Sequence, residues 1–356
     1  MKFDREELLQ VLDVAKLAID QREFIPILSH FCFHGRSVTA YNDFIGVQVQ
    51  CKTNFALALQ ANTLLRLLNS VHSKEVEIGV ADKLVFFRSG KPRTGVRARL
   101  PFMSEKDFFF KWPALKRLSS AEMPKKVAAK FFKGIELCLS SVGDQMPAQM
   151  GVTLNEAGKF LCMYSTNNKA ISKFRMAALG VTAKNIIIPT IFCKAVLKAA
   201  DVYGRDDVVF YTAKDFVIAK FGKECLVYGK LVNNKDPLDF EKVIKEHLSA
   251  EYKNEKQKLA EGFAEGFQRA LLILDSDLSK LVTVELDRNT VSIEAKSPLG
   301  KLKSGSRFAN TWPRKTFRVD AELAARAVES ATDVYFGKRV IVFSKPAYTH
   351  LLMCDE

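Results

Sequence analysis

The chain carries none of the short signatures that usually announce an enzyme. It has no G-x-x-x-x-G-K-[ST] phosphate loop, no G-x-G-x-x-G turn, no H-E-x-x-H helix and no G-x-S-x-G elbow. The glycines of GKLKSGS at 300–306 lack the following helix that would make them an anion cradle. Adjacent acids at Glu6–Glu7 and Asp206–Asp207 would point different ways on a helix and form no carboxylate pair. Seven cysteines stand singly, at 32, 51, 138, 162, 193, 225 and 354, and no C-x-x-C pair occurs. That odd, scattered set speaks for reduced, packed thiols rather than a disulfide frame. No run of about 18 apolar residues is present, which excludes a helical membrane span. The start, MKFDREELL, is acidic and amphipathic, without the basic-then-apolar layout of a signal peptide. A cytoplasmic location is therefore expected. One pattern has the look of a metal site: His30, Cys32 and His34 alternate and would share one face of a strand. A fourth ligand is not evident, so the preferred reading is a strand with two marginal histidines. No catalytic residue, cofactor or metal is expected.

What the sequence does contain is one structural pattern written three times. Residues 60–90 read as a polar cap at Asn62, the amphipathic stretch LLRLLNSV, and a hairpin VEIGV-ADK-LVFF. Residues 188–222 read as Thr190, IFCKAVLKAADV and VVFYT-AKD-FVIAKFG, and residues 318–353 as Asp320, AELAARAVESA and VYF-GKR-VIVF. A short polar residue can accept the free N–H groups at a helix start. Alternating apolar runs around a tight polar turn make a hairpin. A self-similar period near a third of the chain is a sign of architecture.

Each third also opens with a helical pattern: Arg5–Asp20, Lys126–Val142 and Leu259–Leu274. Strand-like segments follow each one: FCFHGRSVTAYN, GVTLNEAGKFLCMYS and VTVELDRNTVSIEA. The unit is helix, strands, helix, strands. The expected fold class is α+β, with three similar tandem domains, each packing two helices on antiparallel sheet. Proline and serine in KWPALKRLSSAEMPKK (111–126) and charge in KEHLSAEYKNEKQK (245–258) mark two linkers. The expected domains are 1–117, 123–245 and 253–356.

The net charge is +14, and the surplus is uneven: +6 over residues 1–120, +7 over 121–245 and +1 over 246–356. A basic excess suits a polyanionic partner, most often nucleic acid, although solubility alone is a competing reason. Lys126, Lys130 and Lys133 fall at i, i+4 and i+7 of one helix, opposite Val127, Phe131 and Ile135. Lys194 and Lys198 repeat the spacing on the next, with Arg205 just beyond. Arg66 lies on the second helix, and Arg22 follows the first. An ordinary solvated face explains any one of these. Their recurrence on equivalent helices of a repeat favours a common cationic surface that holds duplex DNA by its phosphates, without reading sequence. No aromatic runs through the stripes, so base stacking is not expected.

In order and spacing over nearly the whole chain, these segments resemble the bacterial-type sliding clamp, the beta subunit of DNA polymerase III. The likeness is carried by MKF, REELLQVL, REFIPILSHF, YNDF-IGVQVQ and RSGK…LP in the first third. In the second it is carried by GVTLNEAGKFLCMYSTNNKAI, IIIP…LKAAD and YGKLVNNKDPLDFEKVI, and at the end by YTHLLM. The resemblance implies a clamp fold of three similar domains, two chains closing into a ring around duplex DNA, and a separate ATP-driven loader. It implies a DNA contact at Arg22. It also implies a partner-peptide pocket between the second and third domains, at Thr166, Ile171, Pro237, Val243, Leu351 and Met353. The competing reading is that these six are core residues. The sequence departs from the family at Asn167–Ala170, in the CDE ending, and at Pro147 and Ala148, where some members direct aromatics at DNA. It also departs at the edge strand Arg93–Leu100, which carries Gly95 and Arg97 where apolar residues are usual. Many relatives are acidic overall, so a divergent member is expected, with a phage as one source.

The expected function is a DNA sliding clamp and processivity factor, non-catalytic and without cofactor. Its expected partners are double-stranded DNA, a polymerase and a clamp loader that dock through short peptides, and a second copy of the chain. The first alternative is an interaction protein that keeps the fold without closing a ring. The second, less favoured, is a nuclease with a dispersed metal site.

Overall fold

The computed structural model describes residues 1–20, 24–91, 94–180, 183–248, 255–274 and 280–354. The fold class is α+β, and every strand pairing described is antiparallel. The chain groups into two compact units. Unit 1 comprises Met1–Phe132, Leu179–Thr182 and Ile188–Leu231; unit 2 comprises Lys133–Ala178, Ala183–Ile187 and Val232–Glu356.

Unit 1 holds an eight-stranded sheet. Its spatial order is β5 (Ala56–Gln60), β2 (His30–His34), β3 (Ser37–Tyr41), β4 (Ile45–Gln50), β16 (Cys225–Lys230), β15 (Phe216–Phe221), β14 (Val208–Thr212) and β9 (Ser119–Met123). A four-stranded sheet runs β1 (Lys2–Asp4), β6 (Glu75–Ala81), β7 (Leu84–Ser89) and β8 (Val96–Leu100). Helices α1 (Arg5–Ala15), α2 (Ala61–Ser70) and α4 (Thr190–Tyr203) belong to this unit. Helix α4 buries Phe192, Cys193, Ala195, Val196, Ala199 and Ala200. Its close approach to β16 needs Gly229, where a Cβ would lie 2.5 Å from Phe192 Cδ2.

Unit 2 holds a second eight-stranded sheet. Its order is β13 (Ile186–Pro189), β10 (Gly151–Ala157), β11 (Phe160–Thr166), β12 (Ala170–Ala177), β22 (Tyr348–Met353), β21 (Val340–Lys345), β20 (Asp333–Phe336) and β17 (Gln257–Lys258). A long hairpin joins β18 (Leu281–Ser297) to β19 (Gly300–Asp320), with irregular register between Leu286 and Thr290. Helices α5 (Phe240–His247), α6 (Phe263–Ile273) and α7 (Ala321–Glu329) complete the unit. One core of the unit gathers Phe263, Phe267, Phe308, Phe317, Phe336 and Phe343. Helix α3 (Lys125–Leu139) begins in the first unit and ends in the second.

The threefold pattern of helix and hairpin is present: α2 with β6–β7, α4 with β14–β15, and α7 with β20–β21. The tight turn of the first hairpin has Asp82 and Lys83 at φ 53° and 61°, the left-handed geometry that two-residue hairpins need. Caps differ from expectation in two of three cases. Asp320 caps α7, accepting from the N–H groups of Glu322 and Leu323 at 3.0 and 3.1 Å. The first repeat is capped by Gln60, whose Oε1 accepts from Thr63 N at 2.6 Å, so Asn62 lies inside the helix. In the second, Pro189 precedes the helix and Thr190 is its first residue. Proline's fixed φ prepares a helix entry without a side-chain cap.

Several boundaries are shorter than the sequence patterns. The first helix is α-helical only to Ala15 and tightens to a 3₁₀ turn over Lys16–Ala18. The third module opens at Phe263 rather than Leu259, because Gly262 sits at φ 77° ahead of it. The edge strand begins at Val96; Thr94 N and Gly95 N turn back to Lys91 O, and Arg93 lies outside the described residues.

Candidate functional site

A concave apolar groove of about 900 Å³ lies within unit 2. Its floor is Ile171 from β12, Val243 from α5 and Met353 from β22, with Leu238 ahead of α5. One wall is the 3₁₀ turn of Pro147 and Ala148 together with Met146. The rim is polar: Asn168, Asn233, Asn234, Lys235, Asp236 and His247. An apolar floor with a few polar groups at the edge is the usual build of a site for a short apolar peptide.

Local chemistry fixes this shape. Asp239 accepts from Lys242 N at 3.1 Å and starts α5. The next residue, Phe240, stacks on Tyr164 of β11 with centroids 4.9 Å apart and planes 11° from parallel. The Tyr164 hydroxyl donates to Glu241 Oε1 at 2.5 Å, and Lys173 Nζ reaches the same oxygen at 2.5 Å. Burial opposes ionisation of Glu241, but hydrogen bonds from Lys173 and Tyr164 and the charges of Lys173 and Lys245 outweigh it and hold the carboxyl below its ordinary range. Burial and the same acidic partner push the Tyr164 phenol upward. The opposite wall is tied by amides: Gln149 Nε2 donates to Asn168 Oδ1 at 2.5 Å, and Asn168 Nδ2 to Gln145 Oε1 at 3.0 Å. Asn167 Oδ1 accepts from Ala170 N at 2.9 Å, closing the β11–β12 turn with Asn168 at φ 68°. Asn234 lines the groove, and its Nδ2 is buried with no hydrogen-bond partner among the described residues.

Of the six pocket residues expected, Thr166, Ile171, Val243 and Met353 line the groove. Pro237 is exposed on the segment between Asp236 and Leu238, both of which line it. Leu351 is fully buried and packs with Ile171, Tyr164 and Val342 beneath the floor, so the core reading holds for it. Pro147 and Ala148, singled out as replacements for aromatics directed at DNA, stand on the groove wall. Sequence reading missed Met146, Leu238, Asn234 and His247. The heptapeptide NNKDPLD carried a turn signal but nothing to show that it faces a strand more than a hundred residues away.

The basic residues fall as follows. Lys194 and Lys198 are exposed on α4 and share a recess of about 510 Å³ with Lys16 of the 3₁₀ turn after α1. Asp13, Asn42, Leu17, Ile19 and Ile191 complete its lining. Lys16 joins from far away in sequence and was not expected. Three ammonium groups against one carboxylate leave the recess cationic. Lys126 and Lys130 are exposed at the start of α3. Lys133 is half-buried and pairs with Glu136 at 3.0 Å, so it is a compensated charge. Arg205 is also half-buried and pairs with Asp201 at 3.8 Å. Arg66 is exposed on α2. Arg22 lies outside the described residues.

The alternating His30, Cys32 and His34 are not brought together as ligands. His30 Nδ1 lies 2.7 Å from Pro26 O, His34 packs edge-on to Phe108, and Cys32 is buried with its thiol pushed up to about 12 by burial and by Glu105. Among the described residues, no group of three His, Cys, Asp or Glu side chains could hold a metal ion. Among the described residues, no helix is long and apolar enough to cross a membrane.

This architecture is that of a known class, the bacterial DNA sliding clamps. The chain matches the DNA polymerase III beta subunit of Thermotoga maritima with a TM-score of 0.81 at 13% identity, covering 100% of this chain and 98% of that one. The sliding clamp of Bacillus subtilis gives 0.76 at 15%, covering 100% and 98%. The beta subunit of Pseudomonas aeruginosa gives 0.75 at 16%, covering 100% and 99%. The chain therefore has the three-domain clamp fold from end to end. No family model and no curated protein matches it. The solved relatives named here are bacterial, and a phage source finds no support among them.

Proposed function

We propose that the protein is a DNA sliding clamp, a non-catalytic processivity factor that encircles duplex DNA and tethers a replicative polymerase. The observation that carries this reading is the likeness in fold to polymerase clamps over the whole of both chains. Three modules, at 1–117, 123–245 and 253–356, would form half of a ring closed by a second copy. Lys16, Lys126, Lys130, Lys194 and Lys198, with Arg22 and Arg66, would meet the phosphates. Contacts to backbone alone attract DNA without stalling movement along it. The groove at Thr166, Ile171, Val243 and Met353 would take short apolar peptides from the polymerase and a clamp loader. The work is replicative and cytoplasmic. The deciding experiment is retention on DNA after loading: the protein should stay on closed circles and run off linear duplex. Equal loss from both would end the proposal.

A second reading is a clamp-like protein that never closes. It is favoured by the edge strand β8, where Arg97 and Arg99 are both exposed. Charges on an edge oppose strand-to-strand pairing. Sedimentation at micromolar protein separates the two readings, since a persistent monomer supports only the open form. A nuclease is the weakest alternative, and metal-dependent cleavage of DNA by the pure protein would be its mark.

A further inference from the structure

The two eight-stranded sheets follow one plan, so their positions can be matched rung by rung. In unit 2, Thr166 pairs with Ile171, and Ile171 with Leu351. In unit 1, Tyr41 pairs with Gly46, and Gly46 with Tyr228. The groove of unit 2 opens beside Thr166 and Ile171. The matching place in unit 1 is filled by the chain itself. Phe110 stacks on Tyr41 with centroids 4.0 Å apart and planes 18° from parallel, and meets Tyr228 edge-on at 5.2 Å. A Cβ on Gly46 would lie 3.1 Å from Phe110 Cε1, so glycine makes room for the ring where the other sheet has isoleucine.

Phe110 belongs to a strap, residues 108–112, whose rings pack on Tyr41 and Tyr228 of the sheet. Phe108, Phe110 and Trp112 are half-buried while Phe109 and Lys111 are exposed. The strap is held by rings, not by ladder bonds. Among the described residues, no backbone amide from Phe109 to Trp112 makes a backbone hydrogen bond, and Trp112 Nε1 is buried without a partner. On the strap itself, Phe109 is 51% exposed. A segment with no backbone pairing and an unsatisfied buried donor is the kind that opens at low cost.

We propose that this strap is a displaceable plug over a second docking groove, and that the groove takes an extended peptide presenting an aromatic ring where Phe110 now sits. Its resident occupant is the chain's own segment; its competitor is a partner segment of the same chemistry. The inference borrows from the proposed function only the idea that peptides are the ligands.

The test uses the full chain carrying Trp312→Phe, which leaves Trp112 as the sole tryptophan. The probe is a peptide spanning Glu105–Pro113 with phenylalanine in place of its tryptophan. Displacement of the strap should shift Trp112 emission to the red, saturably with peptide. The same peptide with alanine at the Phe110 position should shift nothing. The shift should survive Leu238→Glu, which blocks the open groove of unit 2, so failure here is distinct from failure of that groove. Emission that stays fixed, with amides 109–112 exchanging as slowly as the β4 and β16 core, overturns the proposal. So does a shift that Leu238→Glu abolishes.

Discussion

Tyr164 and Glu241 lie 2.5 Å apart, hydroxyl to carboxylate, and this bond ties β11 to the helix that forms one side of the groove. Glu241→Gln should loosen α5 without emptying the core beneath it. The expected cost is about 1 kcal/mol, since the carboxylate is partly solvated. The folded-state pKa of Glu241 is depressed, so its contribution is present above the ordinary carboxylate range and fades as pH falls through the lower folded value. Denaturant titrations of both proteins from pH 7 to pH 3 check this; the gap between them should narrow at the acid end.

His350 is buried, and burial lowers its pKa to about 3. Its Nδ1 lies 2.9 Å from Ser172 Oγ and 3.2 Å from the Tyr348 hydroxyl, while Nε2 has no partner. The unfolded chain takes up a proton near the usual histidine value that the folded chain refuses. Stability is therefore full above that value and declines as pH falls toward 3, by at most roughly 1.4 kcal/mol per pH unit. His350→Gln should flatten this part of the profile. An unchanged acid slope would show that other groups set it.

Leu238 is exposed on the groove, so Leu238→Glu places a charge in the apolar floor without disturbing packed residues. Affinity for an apolar polymerase peptide should fall at least about tenfold, with the melting temperature within about 2 °C of the parent. Calorimetric titration alongside thermal unfolding reads both quantities.

Exchanging Lys126, Lys130, Lys194 and Lys198 for glutamine should weaken DNA association and reduce its salt dependence. If all four meet phosphates, the slope of log affinity against log salt falls by about 3 to 4. Binding measured between 50 and 200 mM salt gives the slope, and a parallel line at lower affinity would exclude direct phosphate contacts.

Gly229→Ala tests packing in unit 1. The added methyl group would lie 2.5 Å from the Phe192 ring, so helix α4 or the strand must shift. A loss of about 1–3 kcal/mol in unfolding free energy is expected.

Much of this was legible in the chain itself. The three hairpins at β6–β7, β14–β15 and β20–β21 follow from alternation around short polar turns, a signal that needs no partner beyond the neighbouring strand. Asp320 was legible as a cap because its oxygen reaches N–H groups two and three residues on. Gln60 was not, since a glutamine reaching its own helix start competes with a better-looking asparagine two residues later.

The residue order by itself determined the repeated helix and hairpin patterns, though not all their boundaries, because those patterns depend on neighbours within a few positions. It also determined the threefold repeat and the basic surplus. Only the tertiary structure decided that Lys16 and Lys194 line one recess, that Leu351 lies under the groove while Val243 lies on it, and that Phe110 packs on Tyr41 and Tyr228. Those outcomes depend on which strands become neighbours across a sheet. An antiparallel rung can join residues nearly two hundred positions apart, as between Gly46 and Tyr228, and local periodicity carries no record of it.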